Sequence, residues 1–208
     1  MNKILLLLLL SFSCLSQIVT IKHHSYITRF DQQANYPRMV EWWLTRSMLT
    51  CSSKIHRTDV FVPDPLDARS TDLAIFYLGS GYDRGHNMPA GDNQCSVVGM
   101  NECFYYSNMT PQHPVLNRGA WKDLEDLTRT LAVRNDSIKV YCGSMGEIKK
   151  IGKVSVPMFC WKVVYIKSTN KVTAYMFRND QNAVGDPSNF EVPLQELENK
   201  LKYKFVFK

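Results

Sequence analysis

The sequence predicts one α+β domain built on a central, mostly antiparallel sheet flanked by helices. Two patterns lead to that reading. Runs rich in β-branched and aromatic residues lie on both sides of a single strongly periodic helix. No internal repeat, low-complexity tract or long linker divides the 208 residues, a length that suits one domain.

The chain opens MNKILLLLLLSFSCLSQIVT, with one lysine ahead of an unbroken apolar run from Ile4 to Leu10 and then small residues. That is the order of a secretory signal, and its core is shorter than the roughly 20 apolar residues a membrane span needs. Cleavage is expected after Ser16, with Cys14 at the −3 position. Residues 1–16 are then the signal and 17–208 a single domain, soluble and extracellular. Tyr26–Phe30 and Arg38–Thr45 read as strands around the polar turn DQQANYP. Leu73–Leu78 is an apolar run that stops at the glycine-punctuated GSGYD. Cys103–Met109 reads as an aromatic-rich strand.

The clearest helix is expected to start near Asn117. Ala120, Leu124, Leu127 and Leu131 fall at i, i+4, i+7 and i+11, one apolar stripe. Pro111 and Pro114 stand just before it, where prolines are tolerated. Ile138–Cys142, Met158–Ile166 and Val172–Phe177 follow as strands, and Val192–Leu201 as a short closing helix.

Cys51, Cys95, Cys103, Cys142 and Cys160 remain beyond the signal, and none forms a CxxC pair, which argues against a structural zinc site. In a secreted chain they should form disulfides with one left over. About 15 pairings are open; Cys95–Cys103, flanking a polar stretch, is the favoured one. The formal charge of +6 is a moderate excess that only inclines the chain towards a polyanionic partner. Asn135-Asp136-Ser137 is a sequon expected on the surface after the helix, open to glycosylation.

Two segments hold the residues with chemical potential: GSGYDRGHNMPAGD at 79–92 and FYYSNMTPQHPVLNRGAWKDLEDLTR at 104–129. Cleaving a phosphodiester requires deprotonating water, neutralising charge on a crowded phosphorus and stabilising the leaving oxygen. His86 suits the first task, because imidazole titrates near neutrality. Arg84 suits the second with its fixed fork of donors. On one continuous helix Glu125 would sit about 80° round from Asn117, with Arg129 one turn further on. Asn117 supplies a weak, neutral amide oxygen, which suits Mg²⁺ with most of its water retained. Each residue also has a plain reading: His86 as a structural histidine, Asn117 as a helix cap, Glu125 with Arg129 as a surface ion pair, Trp121 as core. His23, His24, His56 and His113 are read as surface or structural, and Asp83 as a partner for an arginine or a turn cap.

Taken together, DRGH at 83–86, SNMTPQ at 107–112, LNRGAW at 116–121 and LE at 124–125 resemble the DNA/RNA non-specific endonuclease family. Softer likenesses extend the match from about Tyr26 to the C-terminus: PRMVEWWL, the Arg57…Phe61…Asp64-Pro65 run, YCGS, CWKVVY and VPLQELE. The resemblance implies a ββα-metal (His-Me finger) site, Mg²⁺ or else Mn²⁺ as cofactor, and DNA and RNA as substrates left with 5′-phosphate ends. It implies His86 as general base, Asn117 as the one direct metal ligand and Glu125 as the acid fixing metal-bound water. Asn108 matches the asparagine that supports the site, and Arg84 and Arg129 match arginines near the scissile phosphate. Arg57 is a looser substrate-binding match. Asn87-Met88 departs from the usual Met-Ala and is expected to alter a pocket wall. Two alternatives stay open at this point: a binding protein that kept the fold without catalysis, and a secreted hydrolase of a different ester.

Overall fold

A computed structural model of the chain describes residues 18–67 and 73–207. The expected signal segment lies outside these residues. The elements run β1 (Ile18–Lys22), β2 (Ile27–Asp31), β3 (Tyr36–Thr45), α1 (Arg46–Leu49), α2 (Leu73–Tyr77), β4 (Asp83–His86), α3 (Val97–Glu102), β5 (Met109–Gln112), α4 (Pro114–Arg118) and α5 (Ala120–Asn135). They continue with β6 (Ser137–Met145), β7 (Lys149–Ile151), β8 (Val154–Val156), β9 (Phe159–Ile166), β10 (Lys171–Arg178), β11 (Glu191–Val192) and α6 (Leu194–Leu201). Among the described residues no helix is long and apolar enough to cross a membrane.

Seven strands form one sheet in the order β1-β2-β3-β6-β9-β10-β11, every neighbouring pair antiparallel. The expected α+β architecture is therefore present. Alternation along the strands assigns the two faces. Val40, Trp42 and Leu44 of β3, with Ile138, Val140 and Cys142 of β6, pack towards α5 in the main core. Met39, Tyr141, Trp161 and Val163 point the other way and are covered by Leu197 of α6 and Phe205 of the C-terminal tail. β9 is buried from Cys160 to Ile166 because both of its faces are covered.

The helix near Asn117 is in fact two helices. The chain breaks at Gly119, where an added Cβ would lie 2.7 Å from the Val115 carbonyl oxygen. Asn117 thus belongs to the last turn of α4, and its angular relation to Glu125 is not that of one continuous helix. On α5 the buried face is Ala120, Trp121, Leu124, Thr128 and Ala132; Leu127 is 39% exposed. Trp121 takes the core position under the hairpin, and the buried face keeps Ala120 and Leu124 while turning by about 60° from the expected stripe. The expected strand at 103–109 is instead a turn: Tyr106–Asn108 form a 3-10 segment, and extended pairing begins only at Met109.

The favoured cysteine pairing is also corrected. The disulfide joins Cys51 to Cys95. Helix α3 stands between Cys95 and Cys103, and Cys103, Cys142 and Cys160 are buried free thiols rather than a second bridge and one leftover. Asn135 is half-buried, its amide donating to Leu131 and accepting from Ser168, so the sequon is less open than its position suggested.

The Cys51–Cys95 bridge closes a sequence separation of 44 residues, for which chain entropy gives a stabilisation of about 4 kcal/mol. Cys51→Ser should therefore lower the unfolding free energy by about 2–4 kcal/mol in a urea titration. An unchanged midpoint would show that the bridge does not brace the fold.

Candidate active site

β4 and β5 form a two-stranded hairpin apart from the main sheet, pairing Asp83 with Gln112 and His86 with Met109. Gly85 is needed there, because a Cβ would fall 2.6 Å or less from three atoms of the Gln112 side chain. The side chain of Asn179, just past β10, fastens the hairpin to the sheet. It donates to the Pro111 and Pro157 carbonyls at 2.8 and 3.0 Å and accepts from the His113 amide at 2.7 Å. His113 caps α4, its Nδ1 accepting from the Val115 amide, with Pro114 following at the first turn. Two strands followed by α4 and α5 make the expected ββα unit.

A cleft of about 350 Å³ opens over this unit. Arg57, Arg84, His86, Asn117, Glu125 and Arg129 all line it, together with Pro89–Gly91, Arg118 and Lys122. Six of the seven expected site residues thus converge from four separate segments. Asn108 is the exception. It is fully buried, donating to the Met88 and Cys103 carbonyls and accepting from the Met88 amide. It braces the loop after His86 and does not reach the cleft as a reacting group. Asn87 and Met88 are buried as well, so they change no cleft wall; the Asn87 amide instead stitches β4 to Asn108 and Thr110.

His86 is 8% exposed, and its Nε2 is buried with no hydrogen-bond partner among the described residues. Its ring stands edge-on to Phe104 at 4.9 Å and tilted to Phe61 at 5.6 Å. Its carbonyl accepts from the Trp121 indole at 3.2 Å, which ties the hairpin to α5. Trp121 is a core residue, 1% exposed. Burial, followed by the Arg57 cation and, more weakly, the Arg84 cation, pulls the imidazole down to about 3 against a smaller opposing pull from Asp59. The Arg84 guanidinium lies 4.1 Å over Phe61 and that of Arg57 5.1 Å over Phe104.

Asp83, left out of the expected site, is central to it. Its carboxylate accepts from Asn117 Nδ2 at 2.9 Å and takes a two-pronged pair from Arg118 at 2.7 and 2.8 Å. These bonds hold its carboxyl below the ordinary range, against a burial penalty that pushes the other way. With the amide nitrogen occupied, Asn117 keeps its oxygen for the cleft.

Glu125 is half-buried and makes no ion pair among the described residues. Burial pushes its carboxyl up to about 7, while the Lys162 and Arg129 cations draw it down. The plain reading of Glu125 with Arg129 as an i,i+4 pair does not hold. Arg129 binds the buried Asp92 at 3.1 Å and Asp126 at 2.5 Å, so much of its charge is already balanced. Below them Lys162 is fully buried in β9, its ammonium 4.3 Å from the Trp121 ring centre.

Arg118, Lys122 and Lys162 were not picked out in the sequence. Lys122, Glu125 and Arg129 recur at three- and four-residue steps on α5, a charged helical row beside the apolar one. That row was a usable signal. Nothing local marks Lys162 as buried, since it sits in an apolar strand where a lysine would ordinarily face water. A larger cavity of about 600 Å³ lies elsewhere, lined by His23, His24, Trp42, Trp43 and Lys139 among others. It has no arginine, and its buried histidine, His23, is taken up by Asp64, so the chemistry assigns the smaller cleft.

His23 is buried against Asp64 at 3.2 Å, a structural role like that expected of it. No group of three or more His, Cys, Asp or Glu residues that could hold a metal occurs among the described residues. Any ion at this site would rest on few protein oxygens.

Comparison with known proteins agrees with this geometry. A curated nuclease of Nostoc sp. is 31% identical over 88% of this chain and 71% of its own length. "Nuclease 1, mitochondrial" of Schizosaccharomyces pombe is 32% identical over 85% of this chain and 62% of its own. A chain in the crystal structure of an EndoG/EndoGI complex superposes with a TM-score of 0.80 at 25% identity, covering 89% of this chain and 84% of that one. The model of the DNA/RNA non-specific endonuclease family matches residues 10–207. The chain belongs to the DNA/RNA non-specific endonuclease family.

Proposed function

We propose that the protein is a secreted, divalent-metal-dependent endonuclease that hydrolyses phosphodiester bonds in DNA and RNA, with Mg²⁺ as its ion and Mn²⁺ as a working substitute. One observation carries this reading: an imidazole whose Nε2 has no hydrogen-bond partner among the described residues lines a cationic cleft that also presents a pinned amide.

His86 acts as general base. Burial and, after it, the Arg57 cation hold its pKa near 3, well below the ordinary imidazole range. A phosphodiester between Arg57 and Arg84 would offset those cations and so raise the basicity of the imidazole, which accepts a proton from the attacking water. Arg84, stacked on Phe61, holds non-bridging oxygens, and Arg57 reaches the same space from its loop. Arg129, balanced by two aspartates, shapes the wall more than it supplies charge. Asn117 and Glu125 fit an oxygen-ligated ion that keeps most of its hydration, since the donor set is one amide oxygen and one carboxylate. Bound there, the ion would stabilise charge on the phosphoryl group and on the leaving 3′ oxygen.

These side chains address phosphate and water, and none has reason to read a base or a 2′-hydroxyl. Cleavage of both nucleic acids follows from that economy of contacts, and departure of the 3′ oxygen leaves the phosphate on the 5′ end. The proposal of secretion rests on Lys3 and the apolar run from Ile4 to Leu10. Some curated relatives carry mitochondrial names, but transit peptides are arginine-rich and amphipathic, unlike this opening.

His86→Ala should lower turnover on plasmid and RNA by roughly 10²–10⁴ while binding survives, and chelator should abolish wild-type cleavage until Mg²⁺ or Mn²⁺ is restored. Near wild-type cleavage by the variant, or undiminished cleavage in excess chelator, would defeat the mechanism.

Glu125 supplies a pH test. Its folded pKa of about 7 lies above the ordinary value of 4.5. The native state therefore keeps this proton longer than the unfolded chain, and the stability it contributes is complete below 4.5 and lost as pH rises through 7. In chelator, Glu125→Gln should raise the urea midpoint over wild type more at pH 8 than at pH 5. An equal gain at both pH values would mean that the carboxyl ionises without hindrance.

A further inference from the structure

Beyond Arg129 the surface continues into a second groove of about 500 Å³, lined by Leu49, Lys54, Gln94, Arg129, Thr130, Val133 and Arg134. It shares Arg129 with the catalytic cleft. Three of its seven lining residues are cationic and none is acidic. Lys54 and Arg134 are exposed and make no ion pair among the described residues, in contrast to Arg129. We infer that this groove is a second phosphate-binding subsite, which takes the polynucleotide backbone as it leaves the catalytic cleft.

The spacing fits a strand. Arg134 lies five residues past Arg129 on α5, about 7.5 Å along the axis at 1.5 Å per residue. Successive phosphates of one strand advance about 3.4 Å along a duplex axis, so Arg134 stands roughly two nucleotides further on. The opposite wall is held in place. The Cys51–Cys95 bridge and the Ile55 amide, donating to the Gln94 carbonyl at 2.8 Å, fasten the segment that carries Lys54 against the groove floor. Leu49 and Val133 give the walls apolar edges suited to sugar rather than to a free ion. Arg134 in the last turn of α5 also complements the helix dipole, a role that would not depend on any strand.

The inference rests on the nuclease reading for its ligand, and the test separates the two. Binding of a labelled 24-nucleotide single strand is measured in chelator, so that nothing is cut, across a range of salt concentrations. Lys54→Ala/Arg134→Ala should weaken binding on the order of tenfold and flatten the log–log salt dependence by about 1.4, at about 0.7 per lost contact. Arg134→Lys should retain most of the slope. A control that removes two exposed charges lining neither groove nor cleft, Lys171→Ala/Lys202→Ala, should leave it near wild type. An unchanged slope in the double variant, or an equal change in the control, would overturn the subsite. The same samples supplied with Mg²⁺ report cleavage separately: a strand that is bound through this groove but never cut would contradict the nuclease reading and leave the groove standing.

Discussion

The site depends on one carboxylate. Asp83 begins the first strand of the hairpin, and its two oxygens take the Asn117 amide and the Arg118 guanidinium from the end of α4. This junction fixes the register between strand and helix, and with it the direction of the Asn117 oxygen. An asparagine side chain has a two-fold ambiguity in its outer torsion; a carboxylate partner resolves it, since only the nitrogen can donate. A second tie, from the Trp121 indole to the His86 carbonyl, sets the base at the other end of the same strand. Four residues of strand are thus clamped at both ends to the helices that carry the rest of the cleft.

Beneath the cleft lies a set of buried charges that a purely stable protein would avoid. Asp92 is fully buried between Arg129 and the Trp42 indole, Lys162 is fully buried against Trp121, and Glu125 makes no ion pair among the described residues. Burial raises both Glu125 and Asp92, and the two cations lower them. A carboxyl kept close to its ionisation point responds to an arriving cation, as an ion-binding site requires. Stability is yielded at Glu125, and the disulfide, the Asn179 tie and the packed sheet offset it.

The α+β class, most strands and the closing helix were legible in the sequence, because period-2 and period-3.6 patterns survive wherever one face is buried. The ββα unit and the six converging residues were legible as what the resemblance of dispersed motifs to a known family implied. The misreadings have physical causes. Gly119 split a helix expected to start near Asn117; the apolar pattern, which begins only at Ala120, does not register a Cβ clash with a carbonyl one turn earlier. Trp121 outweighed Leu127 for the core because the larger ring fills the space under the hairpin. The aromatics at 103–109 suggested a strand, but the segment turns, with Tyr105 against His23 and Phe104 and Tyr106 both against Phe61. Cys51 was overlooked as a partner for Cys95 because a link across 44 residues leaves no local trace. Asp83 was set aside as a pairing residue; it does pair, and the pairing is how it acts.

The most direct test of this account is metal affinity in an Asp83 variant. Mn²⁺ binding would be titrated by calorimetry into wild type, Asp83→Ala and Arg118→Ala, with thermal unfolding confirming that each remains folded. Loss of a residue that orients a metal ligand costs about 10–100-fold in affinity, so Asp83→Ala should weaken binding by that factor. Arg118→Ala leaves the Asp83–Asn117 bond in place and should cost less. A folded Asp83→Ala protein that binds Mn²⁺ as tightly as wild type would contradict the claim that this carboxylate aims the Asn117 oxygen.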